Sequence, residues 1–219
     1  MTDRADTYAD RPCYGELVAV VLTGAVHVLS ELWLSATISR LFNAGASIVF
    51  LAYVVWRVRR TEGVLRAWGM RRDNLRPALL AQMGFTVVGA LALVGVGAVW
   101  GSLRVPATFW LTLALYPVWS VAQQFALQNL VARNLAGVVR NPVALAVSAS
   151  ALFAASHYPE VELVLLTVVA GVFFTLIYRR FPNLWAVGIA HAILGSLAVH
   201  LVLEQDPGAA ILQFLTGRL

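Results

Sequence analysis

Long apolar stretches separated by short polar segments dominate the chain from Leu17 onwards. Such stretches approach or exceed the roughly 20 residues that an α-helix needs to cross the core of a bilayer. Seven helices are predicted in this way, at Leu17–Ile38, Leu41–Trp56, Leu79–Trp100, Thr108–Ala132, Pro142–Tyr158, Glu162–Tyr178 and Leu184–Leu203. The pattern predicts an all-α fold, a polytopic membrane helix bundle with about seven transmembrane helices, in the range of about six to eight.

The two ends of the chain are more polar and are predicted to lie outside this bundle. Residues 1–16 carry mixed charges and do not resemble a signal peptide, so they are interpreted as a polar N-terminal tail. Residues 17–203 form a single transmembrane domain, whose motif-bearing core is at about 108–203. Residues 204–219 are too short to span a bilayer and are predicted to form a C-terminal tail that lies along the membrane surface.

Composition and charge support an integral membrane protein. Of the 219 residues 60% are hydrophobic, and the mean hydropathy is +0.77. All sixteen basic residues are arginine, and seven fall in one loop: Arg57, Arg59, Arg60, Arg66, Arg71, Arg72 and Arg76. Clustering in one loop between apolar spans is typical of a cytoplasmic segment rather than of a nucleic-acid-binding stripe. We therefore expect a bacterial cytoplasmic (inner) membrane protein with its N-terminus inside and no nucleic-acid partner.

Several polar side chains lie inside the predicted spans, where such residues are rare and indicate function by default. They are His27, Glu31, Gln123, Gln124, Gln128, His157 and His191. Gln124 and Gln128 are one helical turn apart and share a face, whereas Gln123 points about 100° away. One interpretation is hydrogen bonding between helices, at ~0.6–2 kcal/mol per contact.

The polar segments QQFALQ, FAASH and HAILGS occur in this order on the fourth, fifth and seventh spans. Together they resemble the CPBP family of intramembrane proteases, the CAAX-protease and bacteriocin-processing group. Its motifs are EExxxR, FxxxH, and a histidine followed four residues later by asparagine or aspartate. Phe153 and His157 match the second motif and His191 matches the third. The resemblance covers about residues 68–200 and is most specific over 120–195.

The first and third motifs are altered in this chain. Gln123 and Gln124 stand at the two glutamate positions, Gln128 at the arginine position and Gly195 at the asparagine position. The resemblance implies that a glutamate activates water while the histidines and the asparagine stabilise the oxyanion. Glutamine keeps the shape of glutamate but has no proton affinity that is useful near neutral pH. A glutamine pair therefore cannot replace a glutamate pair as general base.

Two functions follow from the resemblance. The first is an intramembrane endopeptidase (hydrolase) that cuts a peptide bond in a membrane-associated or lipidated protein substrate. The second is a catalytically inactive pseudoprotease that binds a substrate or acts as a subunit of a larger membrane complex with a partner membrane protein. For the enzyme, the predicted catalytic residues are Gln123, Gln124, His157 and His191, supported in the pocket by Gln128, Phe153 and Gly195.

The base for such an enzyme is left open by the sequence. His157 or His191 can serve, because imidazole titrates near neutral pH. Glu31 and Glu160 are alternative substitute acids, although Glu31 can equally form a packing pair with His27, and Glu160 can lie in a solvated turn. No metal and no other cofactor is expected, because zinc usually takes three or four His, Cys or carboxylate ligands. The pocket offers only two histidines and neutral amides unless His27 or Glu31 joins them.

Overall fold

The computed structural model of the protein describes residues 12–217, which form a bundle of helices without β-strands. The elements are α1 Tyr14–Trp33, α2 Ala36–Arg60, α3 Val64–Ala67, α4 Leu75–Trp100, α5 Thr108–Phe125, α6 Arg133–Leu135, α7 Pro142–Ala155, α8 Val161–Arg180, α9 Leu184–Leu201 and α10 Pro207–Leu215. A π-helical stretch, Ala126–Ala132, joins α5 to α6 and is called the π segment here. The predicted all-α class is confirmed.

Five helices in the described part of the chain, namely α1, α2, α4, α8 and α9, are long and apolar enough to cross a membrane by length and composition. α7 is apolar but shorter, and the predicted fourth span is the continuous rod formed by α5, the π segment and α6. A polytopic membrane bundle is therefore confirmed. Of the predicted N-terminal tail, residues 1–11 lie outside the described residues, and α1 begins at Tyr14.

α9 is the most buried helix of the bundle, and it packs closely against α5 through two glycines. A Cβ atom at Gly188 would lie 2.5 Å from Cγ2 of Val121, and one at Gly195 would lie 2.5 Å from Cε1 of Tyr116. Helices in lipid gain little from apolar contact alone, so small residues that let backbones approach favour such pairs. These glycines bring the polar face of α5 next to α9.

A turn between α3 and α4 fixes one end of the bundle. Trp68 is fully buried and meets Phe125 edge to face, with ring centroids 4.7 Å apart. Its carbonyl oxygen accepts hydrogen bonds from Asn129 Nδ2 at 3.3 Å and from the Tyr178 hydroxyl at 3.0 Å. Gly69 follows with a φ of 74°. The arginine-rich loop is therefore tied to the π segment and to α8.

A buried ionic cluster joins α1 to the end of the fourth span. Glu16 on α1 is only 8% exposed and pairs with Arg133 at 2.6 Å. The Glu16 carboxylate also accepts a hydrogen bond from Asn134 Nδ2 at 2.8 Å and one from the Tyr53 hydroxyl on α2. Although sequence analysis assigns Glu16 to the polar tail, its carboxylate holds three elements of the bundle together.

The C-terminal helix α10 packs on the start of α5. The Thr108 hydroxyl donates to Asp206 Oδ2 at 2.6 Å, and the backbone N–H of Ala209 donates to Asp206 Oδ1 at 2.9 Å. Asp206 therefore caps α10 and fastens it to the bundle. Gly208 allows the close approach, since a Cβ atom there would lie 2.2 Å from the Thr108 carbonyl oxygen.

Candidate active site

A large cavity of about 2000 Å³ opens among the helices and is lined mainly by apolar side chains. Polar side chains of the motif-bearing spans are among the lining residues. They are Gln123 and Gln124 from α5, His157 from the turn after α7, and His191 from α9, and His27 of α1 lines the cavity as well. A concave, mostly apolar pocket with a few convergent polar groups is the usual form of a ligand or active site.

Gln124 and His191 are in direct contact within this cavity. Gln124 Nε2 lies 3.1 Å from His191 Nδ1, and the Gln124 side chain is 1% exposed. Gln128, one turn further along, donates from Nε2 to Gln124 Oε1 at 3.0 Å and to the Thr175 hydroxyl of α8 at 3.3 Å. The amides thus form a chain of hydrogen bonds that runs from α8 through the fourth span to α9. Thr175 belongs to none of the three motifs and is not among the site residues predicted from the sequence.

This chain of hydrogen bonds determines the protonation of the His191 ring. Because the carbonyl oxygen of Gln124 accepts from Gln128, its amide nitrogen is the group that faces His191. An amide nitrogen only donates, so Nδ1 of His191 must be the acceptor. A neutral imidazole that accepts at Nδ1 carries its proton on Nε2. His191 is therefore arranged as a hydrogen-bond donor through Nε2.

His157 has the opposite arrangement. Its Nδ1 atom lies 3.2 Å from the carbonyl oxygen of Phe153 and 3.5 Å from the Ser156 hydroxyl. A backbone carbonyl only accepts, so Nδ1 carries the proton and Nε2 keeps its lone pair. The Phe153 ring packs edge to face on the imidazole, with centroids 5.2 Å apart. His157 and His191 both line the cavity.

Gln123 also lines the cavity and is not part of the amide chain. Its Oε1 atom is buried and has no hydrogen-bond partner within residues 12–217. A buried acceptor without a partner is costly and rare in proteins, and it is satisfied when a water molecule or ligand binds beside it. Gln123 Oε1, like Gln128 Oε1, is therefore a buried acceptor without a protein partner among these residues.

The space beside Gly195 is filled from α5 by Tyr116. An added Cβ at Gly195 would lie 2.5 Å from Cε1 and 3.2 Å from the hydroxyl oxygen of Tyr116. The Tyr116 and His191 rings are 6.2 Å apart, centroid to centroid. Tyr116 belongs to none of the three motifs, so the sequence did not predict it near His191. Only the close crossing of α5 and α9 brings it to the position that follows His191 by one turn.

Neither of the two alternative acids, Glu31 and Glu160, is among the described residues that line the cavity. Both side chains are exposed. Glu160 Oε1 accepts a hydrogen bond from Gln205 Nε2 at 3.3 Å. His27 Nδ1 lies 3.0 Å from Asn43 Oδ1 of α2, so its partner in the structure is Asn43 and not Glu31.

Within the part of the chain that the structure describes, no group of three or more His, Cys, Asp or Glu side chains is placed to hold a metal ion. The side chains around the two histidines are amides, a phenol, the Ser156 hydroxyl and aromatic rings, which are poor or weak metal ligands. The chemistry that can be derived for this site is therefore that of its imidazoles, amides and phenol.

Known proteins resemble the chain in this same region. Residues 105–197 match the model of a family described as type II CAAX prenyl endopeptidase, Rce1-like. No curated protein and no solved structure is significantly similar to the chain. The matched range contains the amide chain, His157 and His191 and agrees with the three motifs. This match supports the resemblance of residues 105–197 to the CPBP family of intramembrane proteases.

Proposed function

We propose that the protein is a CAAX-type intramembrane endopeptidase in which His157, not a glutamate, is the general base. The observation that carries this proposal is the Gln124–His191 hydrogen bond of 3.1 Å. It makes His191 a donor and leaves His157, on the same cavity, as the imidazole with a free Nε2 lone pair. The two histidines thus divide the roles of donor and base that hydrolysis of a peptide bond needs.

The proposed reaction uses a water molecule between His157 and Gln123. Nε2 of His157 takes one proton as the water oxygen bonds to the peptide carbon, and Oε1 of Gln123 accepts the other O–H as a hydrogen bond. The carbonyl electron pair moves to oxygen, where the Nε2–H group of His191 stabilises the oxyanion. When the C–N bond breaks, the His157 imidazolium gives its proton to the leaving amine. The products are one carboxylic acid and one amine.

The substrate proposed for this site is a membrane-anchored peptide or a lipidated protein. The cavity is large, and its lining is mainly apolar, so a hydrophobic chain can be accommodated beside the polar wall. The matched family acts on prenylated CAAX ends, which are of this chemical class. With the arginine-rich loop in the cytoplasm and the N-terminus inside, the protein would work in the bacterial inner membrane on substrates of that leaflet.

A second candidate function, a pseudoprotease that binds a lipidated or helical segment, is favoured by one observation. Glu16 is the only acid among the described residues that line the cavity, and it is bonded to Arg133, Asn134 and Tyr53. The amide chain has no carboxylate beside it. In this function the same wall holds a substrate peptide without cutting it, or docks a partner membrane protein.

The deciding experiment uses the full chain, purified and placed in lipid nanodiscs, with an internally quenched prenylated CAAX peptide. We expect His157→Ala to lower kcat by on the order of 10²–10⁴, the range for loss of a general base. His27→Ala is the matched control, because His27 lines the same cavity but bonds Asn43 of α2. It should keep turnover within about threefold of wild type, well below the loss for a base.

If His157→Ala leaves turnover unchanged, His157 is not the general base. Complete absence of turnover in the wild type, together with binding of the intact prenylated peptide in the same nanodiscs, would overturn the enzyme and support the pseudoprotease. If His27→Ala lowers kcat as much as His157→Ala does, the loss reflects a general effect on the cavity. The assignment of His157 as the base would then be contradicted.

A further inference from the structure

The position one turn after His191 is occupied by glycine, but the space beside it is not empty. The Tyr116 hydroxyl oxygen lies 3.2 Å from the point where a Cβ atom of residue 195 would stand. An asparagine amide at 195 would extend from that Cβ into the volume that the phenol now fills. A hydrogen-bond donor is therefore present at this position, but it comes from α5 instead of α9.

Burial and contacts fit a donor that acts on a ligand. Tyr116 lines the cavity, and within residues 12–217 its hydroxyl has no hydrogen-bond partner. Tyr116 is half-buried and its hydroxyl is not among the buried atoms, so this O–H is free to donate to a molecule bound in the cavity. The His191 ring, which presents Nε2–H, is 6.2 Å away by centroids. Two donors from different helices thus line one part of the wall.

We infer that Tyr116 is a catalytic oxyanion donor, which acts together with His191 in place of the side chain missing at Gly195. This inference rests on the function proposed above and adds a residue to it. The phenol donates a hydrogen bond to the developing oxyanion and keeps its proton throughout, so the balance of the reaction is unchanged. α5 then supplies Gln124, which orients His191, and Tyr116, which completes the oxyanion site.

The test compares Tyr116→Phe with wild type in the nanodisc assay with the prenylated CAAX peptide. Phenylalanine keeps the ring that packs on Gly195 and removes only the hydroxyl. Loss of one oxyanion donor lowers kcat by on the order of 10²–10³, and KM should stay within about threefold because the donor acts mainly in the transition state. A purely structural role of the ring would leave kcat unchanged in this variant.

Rescue gives an independent readout. Gly195→Asn alone should not raise kcat, because its Cβ would lie 2.5 Å from the Tyr116 ring and the asparagine would not fit. Tyr116→Ala removes both donor and ring, and Tyr116→Ala/Gly195→Asn restores an amide donor in the vacated space. The double variant should exceed Tyr116→Ala in kcat by at least about tenfold, a part of what one donor contributes.

Each outcome decides the inference. A Tyr116→Phe variant with kcat within about threefold of wild type, while His157→Ala is inactive, overturns the role of Tyr116 and leaves the proposed function standing. No turnover in the wild type overturns both. If the double variant does not fold, as judged by its melting temperature, the kcat of Tyr116→Phe alone decides.

Discussion

Gln124 on α5 donates a hydrogen bond to His191 on α9 across 3.1 Å, although the two residues are 67 positions apart. A glutamate at the same position would reverse this bond. Its carboxylate could only accept, so the proton of His191 would move to Nδ1 and Nε2 would become an acceptor. The glutamine therefore changes the role of the histidine as well as removing an acid. This relationship links the altered first motif to the chemistry of the third.

The first prediction concerns the ring proton of His191. We expect Gln124→Glu to convert His191 from the Nε2–H to the Nδ1–H form, because a carboxylate cannot donate to Nδ1. The measurement is the pair of ¹⁵N shifts of the His191 ring in selectively labelled protein. Gln123→Glu is the matched control, since Gln123 makes no hydrogen bond with His191 in the structure. Wild-type protein already protonated at Nδ1 would contradict the arrangement.

The helices themselves were predictable from the sequence, because a bilayer demands long apolar stretches of nearly constant length. The segment Leu75–Trp100 and the segment Leu184–Leu201 end within a few residues of the predicted bounds. The irregular part is the π segment, which carries no composition signal. Its residues are buried by neighbours that are distant in sequence, such as Trp68, and a single helix pattern does not reveal them.

The candidate site was predictable only in part, for a physical reason. Gln124 and His191 stand out because amides and imidazoles are rare at membrane depth. Tyr116 does not stand out, because tyrosine is common near membrane interfaces and its neighbour Gly195 lies on another helix. Glu16 was assigned to a tail because its partner Arg133 is 117 positions away. Such contacts depend on helix crossings, which local patterns do not encode.

The second prediction tests the anchor of the amide chain on α8. Thr175→Val removes the hydroxyl that accepts from Gln128 and keeps the shape of the side chain. We expect the free energy of unfolding in detergent to fall by ~0.6–1.7 kcal/mol, the range for a hydrogen bond between membrane helices. Turnover should fall as well, because the hydrogen bonds from Thr175 through Gln128 and Gln124 orient His191.

Thr167→Val is the matched control for Thr175→Val. Thr167 is on the same helix and lines the cavity, and its side chain makes no hydrogen bond within residues 12–217. It should keep both stability and turnover. If the two substitutions change stability and turnover equally, the hydrogen bond from Gln128 to the Thr175 hydroxyl has no special role in the site.

The third prediction compares a buried with an exposed ion pair. Glu16→Ala leaves the Arg133 guanidinium without its carboxylate in a site where the two side chains are 17% and 6% exposed. We expect the free energy of unfolding to fall by about 3 kcal/mol, because the substitution removes the buried carboxylate that pairs with Arg133 and accepts from Asn134 and Tyr53.

Asp73→Ala is the comparison for Glu16→Ala. Asp73 pairs with Arg66 at 2.8 Å and with Arg71, but in a solvent-exposed loop. The Arg71 guanidinium holds the pKa of the Asp73 carboxyl below its ordinary value, yet solvent screens the pair. Its loss should change stability much less than the loss of Glu16. The reverse order, measured by denaturant titration of both variants, would contradict the assignment of Glu16 as a buried link between α1 and the end of the fourth span.

The fourth prediction concerns pH and the docking of α10. Burial tends to raise the pKa of Asp206, but hydrogen bonds from Thr108 and the Ala209 amide outweigh it, so its pKa lies below the ordinary value. A carboxyl whose pKa is lowered on folding stabilises the protein above its unfolded pKa. This stabilisation is lost as the pH falls below about 4.

Two substitutions separate the charge of Asp206 from its capping bond. Asp206→Asn keeps an acceptor for the Ala209 amide, and its stability should fall below that of wild type at neutral pH but approach it at low pH. Asp206→Ala also removes the cap, which costs about 0.5–2 kcal/mol at every pH. If the stability of wild type relative to Asp206→Asn instead increases as the pH falls, the charge of Asp206 is unfavourable in the folded state. Melting temperatures across the pH range provide the measurement.

The fifth prediction concerns the turn that holds the arginine-rich loop against the π segment. Gly69 and Gly101 both have a positive φ, 74° and 72°, but only Gly69 is crowded. A Cβ atom at Gly69 would lie 2.6 Å from the Tyr178 hydroxyl, whereas nothing lies within 4 Å of one at Gly101. Gly101→Ala should therefore cost only the backbone strain, about 1–2 kcal/mol. Gly69→Ala should cost more, because it also displaces the hydroxyl that donates to the Trp68 carbonyl.

The crowding at Gly69 can be isolated with a double variant. Tyr178→Phe removes the hydroxyl oxygen, so the nearest atoms to the new Cβ become the Leu184 nitrogen at 3.1 Å and a ring carbon at 3.2 Å. The free-energy change of Gly69→Ala/Tyr178→Phe should then be smaller than the sum of the single changes, since each substitution alone already breaks the contact with Trp68. The prediction is contradicted if the free-energy changes are additive, or if Gly69→Ala costs no more than Gly101→Ala. The Tyr178 hydroxyl could then move aside without loss of stability. The turn would then not hold the loop against Asn129 and the candidate site.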